Sequence, residues 1–357
     1  MSHPRTLALA LAPLLLAGPL FTPAAAQERL IQDMPSPRAE IIQTVGVTRV
    51  HVDYSRPGVK GRDVIGNPQI VAFDSPQAWR AGADENTVFS VDRDVRIEGQ
   101  PLAAGSYGVH MFPKRDAPWT VAFSTNSAAW GSYSYDPAED ALRVDVEARE
   151  GSFQEWLEYE FQELDKNGAT LVLRWADIEV PLRIEVDTDE HVVEYIRDDY
   201  LRGYGFWVPQ QLAQAATYCV RNDVNLEEAE GWAQQAATSA PSFAHYTLLA
   251  TLQDKLGKAE AAEASREQGE QFATEQERNT LGYQLLQGGE VAKAVQVFER
   301  NLAAFPMSWN AHDSLAEACI AAGDKGRARE LYAKALELAP DEASRTRIQG
   351  TLAKLGG

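Results

Sequence analysis

The hydrophobic period of the chain changes once, at Thr188, and that change limits what it can fold into. Upstream, apolar and polar residues alternate in short runs. Downstream of Pro209, apolar residues recur at helical spacing in alanine-rich stretches. A strand repeats its faces every two residues or so and a helix about every 3.6, so one segment cannot satisfy both patterns. The expected fold is α+β in two parts: an antiparallel β-sandwich of about nine strands, then an all-α helical repeat array.

In the first part, Val50, Val52 and Tyr54 share one face of a strand while Arg49, His51 and Asp53 share the other. An H-x-D pair such as His51 and Asp53 can hold a metal; a solvent-facing polar side gives the same pattern. Residues 27–45 read as an extended lead-in, because Pro35 and Pro37 oppose a helix. Further strands are expected at 88–91, 95–98, 107–112, 119–124, 142–148, 156–164, 170–175 and 179–186, with a hairpin turn at Asn167-Gly168. No long helix interrupts them, so a sandwich or a flattened barrel follows, over residues 27–187.

At the change of period, Asp187 or Thr188 can cap a helix carrying Val192, Val193, Ile196 and Tyr200, which Gly203 and Gly205 end. Residues 188–208 are read as a connector. From 209 to 357 a repeat emerges. Leu315, Ala316, Gly323, Ala328, Tyr332, Ala335 and Pro340 stand at tetratricopeptide spacing. Leu281, Gly282, Gly289, Ala294, Phe298 and Pro306 take the equivalent places, and 340 − 306 = 34, the length of such a repeat. A looser copy holds Leu249, Ala250, Gly257 and Ala262, and helices at 210–220 and 226–237 fit a cap. Such arrays bury a continuous core and offer a concave face to a protein or peptide partner, or pack on their own sandwich.

Residues 1–26 have the form of a secretory signal: Arg5, an apolar run from Leu7 to Phe21, and Ala24-Ala25-Ala26 before Gln27. A periplasmic or secreted protein is expected, with no membrane span once the signal is removed. The two cysteines, Cys219 and Cys319, fall on apolar faces of expected helices and read as buried, unpaired thiols. A net charge of −19 argues against nucleic acid or an anionic membrane as partner. No metal or cofactor is expected.

Polar character concentrates between Val52 and Thr87, where Arg56, Arg62, Trp79 and Arg80 stand among Pro57, Gly58, Gly61, Gly66 and Gly82. The run Asp53-Tyr-Ser-Arg-Pro-Gly-Val-Lys-Gly-Arg62, then Trp79-Arg-Ala-Gly-Ala83 with Glu85 and Thr87, then Asp94-Val-Arg-Ile-Glu-Gly99 and Pro101-Leu-Ala-Ala-Gly-Ser-Tyr107, resembles domain of unknown function 2911, a family of exported bacterial proteins. The likeness continues through Trp119-Thr-Val-Ala-Phe123, Trp130-Gly-Ser-Tyr-Ser-Tyr135 and Leu171-Val-Leu-Arg-Trp175, over roughly residues 35–187. It implies membership and often a helical-repeat tail, but no activity. The chain departs from the family pattern at Asp84, where Asn is expected, at Asn86, where a small residue is expected, and along Phe73-Asp-Ser-Pro-Gln-Ala78.

The candidate ligand-binding residues are Arg56, Arg62, Trp79, Arg80, Glu85 and His110. Arginine's planar fork suits a carboxylate or phosphate, and Trp79 could stack on a sugar-like group. The alternative is that the arginines pair with Asp53, Asp84 or Glu85 and pin loops. His110 would need a nucleophile or an acidic orienter within reach to act as a base. Glu158 and Glu160 share a strand face, as paired carboxylates of a glycosidase would, or as a solvated face would. The aromatic run 130–135 suits carbohydrate stacking or a core plug equally. The expected function is a non-enzymatic, exported binding or scaffolding protein, its repeats holding a protein partner and its sandwich loops a small polar or acidic ligand. The rival is a hydrolase of glycans or cell-envelope material built around Arg80, Glu85 and His110.

Overall fold

The computed structural model describes residues 35–355, so the expected signal at 1–26 lies outside the described residues. Ten strands come first: β1 (Arg38–Val45), β2 (Thr48–Ser55), β3 (Thr87–Val91), β4 (Val95–Ile97), β5 (Gln100–Leu102), β6 (Gly105–Phe112), β7 (Trp119–Ser124), β8 (Asp140–Val146), β9 (Arg149–Asp165) and β10 (Gly168–Glu185). They form two antiparallel sheets, a six-stranded one in the order β1-β2-β3-β6-β7-β8 and a four-stranded one in the order β5-β4-β10-β9.

Period-two alternation puts the core between the sheets. Val52 lies opposite Phe89, and Phe89 opposite Tyr107; Val109 lies opposite Phe123, and Met111 opposite Val121. Their apolar side chains meet Leu157, Tyr159, Leu171, Leu173 and Trp175 of the other sheet in one buried cluster. Each large side chain so buried contributes roughly 1.5–3 kcal/mol.

The strands differ from expectation in three places. The lead-in becomes edge strand β1, whose alternation is shallow because an edge strand buries little. Residues 100–102 pair as β5, an edge where Pro101 costs no ladder bond. The two strands expected across 170–186 are one. Ala176, at φ 52°, and the register shifts on either side of it make a bulge, which bends β10 without ending it.

Asp187 is the residue that caps helix α1 (Thr188–Tyr195), accepting a bond from the Glu190 amide at 3.0 Å. A π turn (Ile196–Tyr200) and a 3₁₀ turn (Gly203–Trp207) complete the connector. The array then runs α2 (Pro209–Asn222), α3 (Leu226–Ser239), α4 (Phe243–Lys255), α5 (Ala259–Glu270), α6 (Glu275–Gln287), α7 (Val291–Ala304), α8 (Trp309–Ala321), α9 (Lys325–Leu338) and α10 (Glu342–Leu355). The repeat signature has a steric origin here. A Cβ on Gly282 would fall 2.4 Å from the Phe298 ring, so the glycine in α6 lets the aromatic of α7 fill the gap between them. Gly289 and Gly323 turn the chain between paired helices at φ 78° and 85°. Buried apolar residues fall into separate clusters, one from Val193 to Leu252 and one from Ala294 to Ile348.

Polar bonds tie the sandwich to the array. Lys166, in the β9–β10 turn, reaches Asp189 at 2.7 Å and Asn222 at 3.1 Å, while Tyr218 of α2 donates to Asp189 at 2.7 Å. Buried His191 of α1 meets Thr48 Oγ1 at 3.2 Å. No described helix is long and apolar enough to cross a membrane.

Candidate functional site

The chain between β2 and β3 builds a cleft at one end of the sandwich. Residues 57–59 leave β2 and pair with β9: Val59 donates to the Glu155 carbonyl at 2.8 Å, and Leu157 to the Pro57 carbonyl at 3.0 Å. The chain returns at Trp79, which exchanges both backbone bonds with Met111 of β6, at 2.7 and 2.8 Å. Thr87 pairs with Val109 on the same strand, so residues 80–86 form an excursion whose ends stand side by side on β6. Ala81 and Asp84 take φ of 52° and 57° within it, as so short a return requires. The cleft between these segments has a volume of about 910 Å³ and is lined by Lys60, Arg62, Trp79, Arg80, Tyr133 and Trp175, among others.

Of the six residues singled out in the sequence, Arg62, Trp79 and Arg80 meet at this cleft; Arg56, Glu85 and His110 have other partners. Arg56 bridges the sheets, donating from Nε to the Leu157 carbonyl at 2.8 Å and from Nη2 to Glu158 at 3.0 Å. Glu85 is bound to Arg38 of β1 at 3.2 Å, and Arg38 also holds Asp53 at 2.7 Å. His51 lies 2.9 Å from Glu40, so His51 and Asp53 each face a partner on β1. Glu160 faces Arg174 at 3.4 Å. The paired carboxylates are thereby each matched to an arginine.

Arg62 and Arg80 differ from Arg56 in kind. Arg62 donates to backbone carbonyls of its own loop, Val59 at 3.1 Å and Gly58 at 2.6 Å. Arg80 donates to the Asp84 carbonyl at 2.5 Å and lies over the Tyr133 ring at 5.0 Å. Neither forms an ion pair with a carboxylate among the described residues. Trp79 is 9% exposed, and its face is stacked on Trp175 of β10. It is therefore a wall of the cleft, not an open platform. Tyr133, 83% exposed, is the ring that offers a free face at the rim.

His110 stands on the outer face of the six-stranded sheet, opposite in direction to core residues Val109 and Met111. The β7–β8 connection folds over it. Ser132 Oγ lies 2.8 Å from His110 Nδ1, and the Tyr135 ring covers the imidazole at 4.7 Å. Tyr135 donates to Asp140 at 2.5 Å, and Arg143 bonds both at 2.9 and 3.0 Å. Burial lowers the His110 pKa to about 4; Asp140 acts against this and Arg80 with it. Burial and the bond to Asp140 push the Tyr135 phenol up. In run 130–135, half-buried Tyr135 covers His110 on the outer face of the sheet and not in the core, while Trp130 and Tyr133 are exposed.

Ser132, Tyr133 and Trp175 were not singled out as site residues. The one available signal was the Gly-Ser step inside the aromatic run 130–135, which nothing local ties to His110.

Residues 36–184 match the family model described as protein of unknown function (DUF2911). No curated protein matches the chain. Among solved structures, the chain is similar to MamA 41-end from Desulfovibrio magneticus, at 17% identity over 41% of this chain and 92% of that one, TM-score 0.25. It is also similar to YrrB, a TPR protein with an unusual peptide-binding site, at 16% identity over 45% and 83%, TM-score 0.27. A third similar structure is pilF of Pseudomonas aeruginosa, at 15% identity over 42% and 77%, TM-score 0.25.

Proposed function

Starting from a DUF2911 domain at residues 36–184 with a tetratricopeptide-like array behind it, we propose an exported binding and scaffolding protein. The repeats hold a protein or peptide partner, and the sandwich cleft takes a small acidic ligand through Arg62 and Arg80.

One observation carries the reading of the cleft. In a chain of net charge −19, acids are in surplus, and Arg38, Arg56, Arg174 and Arg183 each face one. Arg62 and Arg80 form no ion pair among the described residues, and both line the same cleft, as Asp84 does. Their positions are fixed by bonds to backbone carbonyls, which orient a guanidinium without neutralising it. A carboxylate or phosphate brought between them gains charge-assisted bonds at little cost in ordering.

Isothermal titration of the full chain with citrate and with inorganic phosphate at low ionic strength tests this. Saturable binding that is lost in Arg62→Ala and in Arg80→Ala is expected. Binding unchanged in both variants would overturn it. Export rests on the signal-like residues 1–26; recovery of uncleaved protein in the cytoplasmic fraction would contradict that part.

A further inference from the structure

We propose that Ser132 is a nucleophile, with His110 as its base, that hydrolyses esters whose acyl group carries a second, acidic function. The proposal rests on the reading of the cleft as an anion site.

The geometry brings the required parts together from distant stretches of chain. Ser132 Oγ and His110 Nδ1 are in hydrogen-bond contact at 2.8 Å, although 22 residues separate them. His110 is 2% exposed, whereas Ser132 lines the cleft that holds Arg62 and Arg80. Ser132 is therefore reached from the cleft, and its base is buried behind it. Gly131 precedes the serine at φ 63°, and a Cβ there would fall 2.4 Å from Arg80 Cζ. The guanidinium accordingly packs on the backbone next to Ser132. From that place it can stabilise the oxyanion that forms when the serine attacks. Asp140, bonded to Tyr135 and Arg143, acts on the ring through its charge. Its carboxylate field favours the protonated imidazole, and its Oδ1 is buried without a hydrogen-bond partner among the described residues.

The reaction is a hydrolysis and needs no oxidant or reductant. Ser132 Oγ–H gives its proton to Nδ1 as the Oγ–C bond forms at the ester carbonyl. The ester C–O bond then breaks, and the imidazolium proton leaves with the alcohol. Water adds to the acyl-serine with the same base, releasing the acid and restoring Ser132. The lowered pKa keeps His110 uncharged at neutral pH, and with its proton on Nε2 the ring accepts from Ser132 at Nδ1. Arg62 holds the second acidic function of the acyl group.

The test is labelling of the full chain with a fluorophosphonate, read by intact mass and peptide mapping, beside release of nitrophenol from mono-p-nitrophenyl succinate. A single adduct on Ser132 is expected, absent in Ser132→Ala and formed about 100-fold more slowly in His110→Gln. Ester hydrolysis falls with it. An unlabelled Ser132 in the wild-type chain overturns the proposal, as does labelling that His110→Gln leaves unchanged. Arg62→Ala separates this proposal from the one it rests on. It is expected to lose citrate binding and the preference for the acidic ester over p-nitrophenyl acetate, while Ser132 still labels. Citrate binding by a chain whose Ser132 never labels would refute the nucleophile and leave the anion site standing.

Discussion

Trp79 and Trp175 stack across the sandwich, with ring centroids 6.1 Å apart and planes 12° from parallel. Trp79 hangs beside β6 of one sheet, and Trp175 belongs to β10 of the other. The pair therefore joins the sheets at the wall of the cleft, and site and core share it. Truncating a buried tryptophan removes about 3–5 kcal/mol. Trp79→Ala should lower the urea midpoint by a corresponding amount and also disturb citrate binding. A midpoint near that of wild type would show that the stack contributes little.

His110 makes the stability of the fold depend on pH. Its folded pKa of about 4 lies below the ordinary 6.5 because the ring is buried under Tyr135, beside Arg80, with Asp140 opposing only in part. Above about pH 6.5 the ring is neutral in both folded and unfolded chains. Between there and pH 4 the unfolded chain takes up a proton that the folded one refuses, so stability falls as pH falls. The loss from this group reaches roughly 3 kcal/mol at pH 4. Urea midpoints from pH 7.5 to 4.5 should fall less steeply in His110→Gln than in wild type. Parallel slopes would contradict the burial argument.

Cys219 and Cys319 should be silent thiols. Both are free and buried, and burial pushes Cys219 up to about 11 and Cys319 upward as well. A maleimide at neutral pH should label neither in the native chain and both in urea. Native labelling of either would mean that the α2 or α8 face opens readily.

Much of the fold was legible in the sequence because it rests on local pattern. The change from period two to helical period at Thr188 is built into the covalent chain, and so is the 34-residue spacing of Pro306 and Pro340. What escaped was long-range or weakly patterned. β1 buries too little to alternate strongly, and the bulge at Ala176 carries no glycine to announce it. The grouping of Arg62, Trp79 and Arg80 followed from their nearness in sequence. The partners did not: Arg56 finds Glu158, Glu85 finds Arg38, and His110 finds Ser132. These depend on which loop crosses which sheet end, information that single-sequence periodicity does not hold.

Arg56 joins the two sheets through Leu157 and Glu158, and on the proposal above Arg62 and Arg80 are held for an acidic ligand instead. Urea unfolding of wild type, Arg56→Ala and Arg80→Ala, each with and without saturating citrate, tests it most directly. A ligand that binds only the folded chain raises its midpoint. Arg56→Ala should lose about 2 kcal/mol with or without citrate and keep the citrate-induced rise. Arg80→Ala should lose the rise. An equal rise in wild type and Arg80→Ala, or none in wild type, would mean that Arg80 is not held for an acidic ligand.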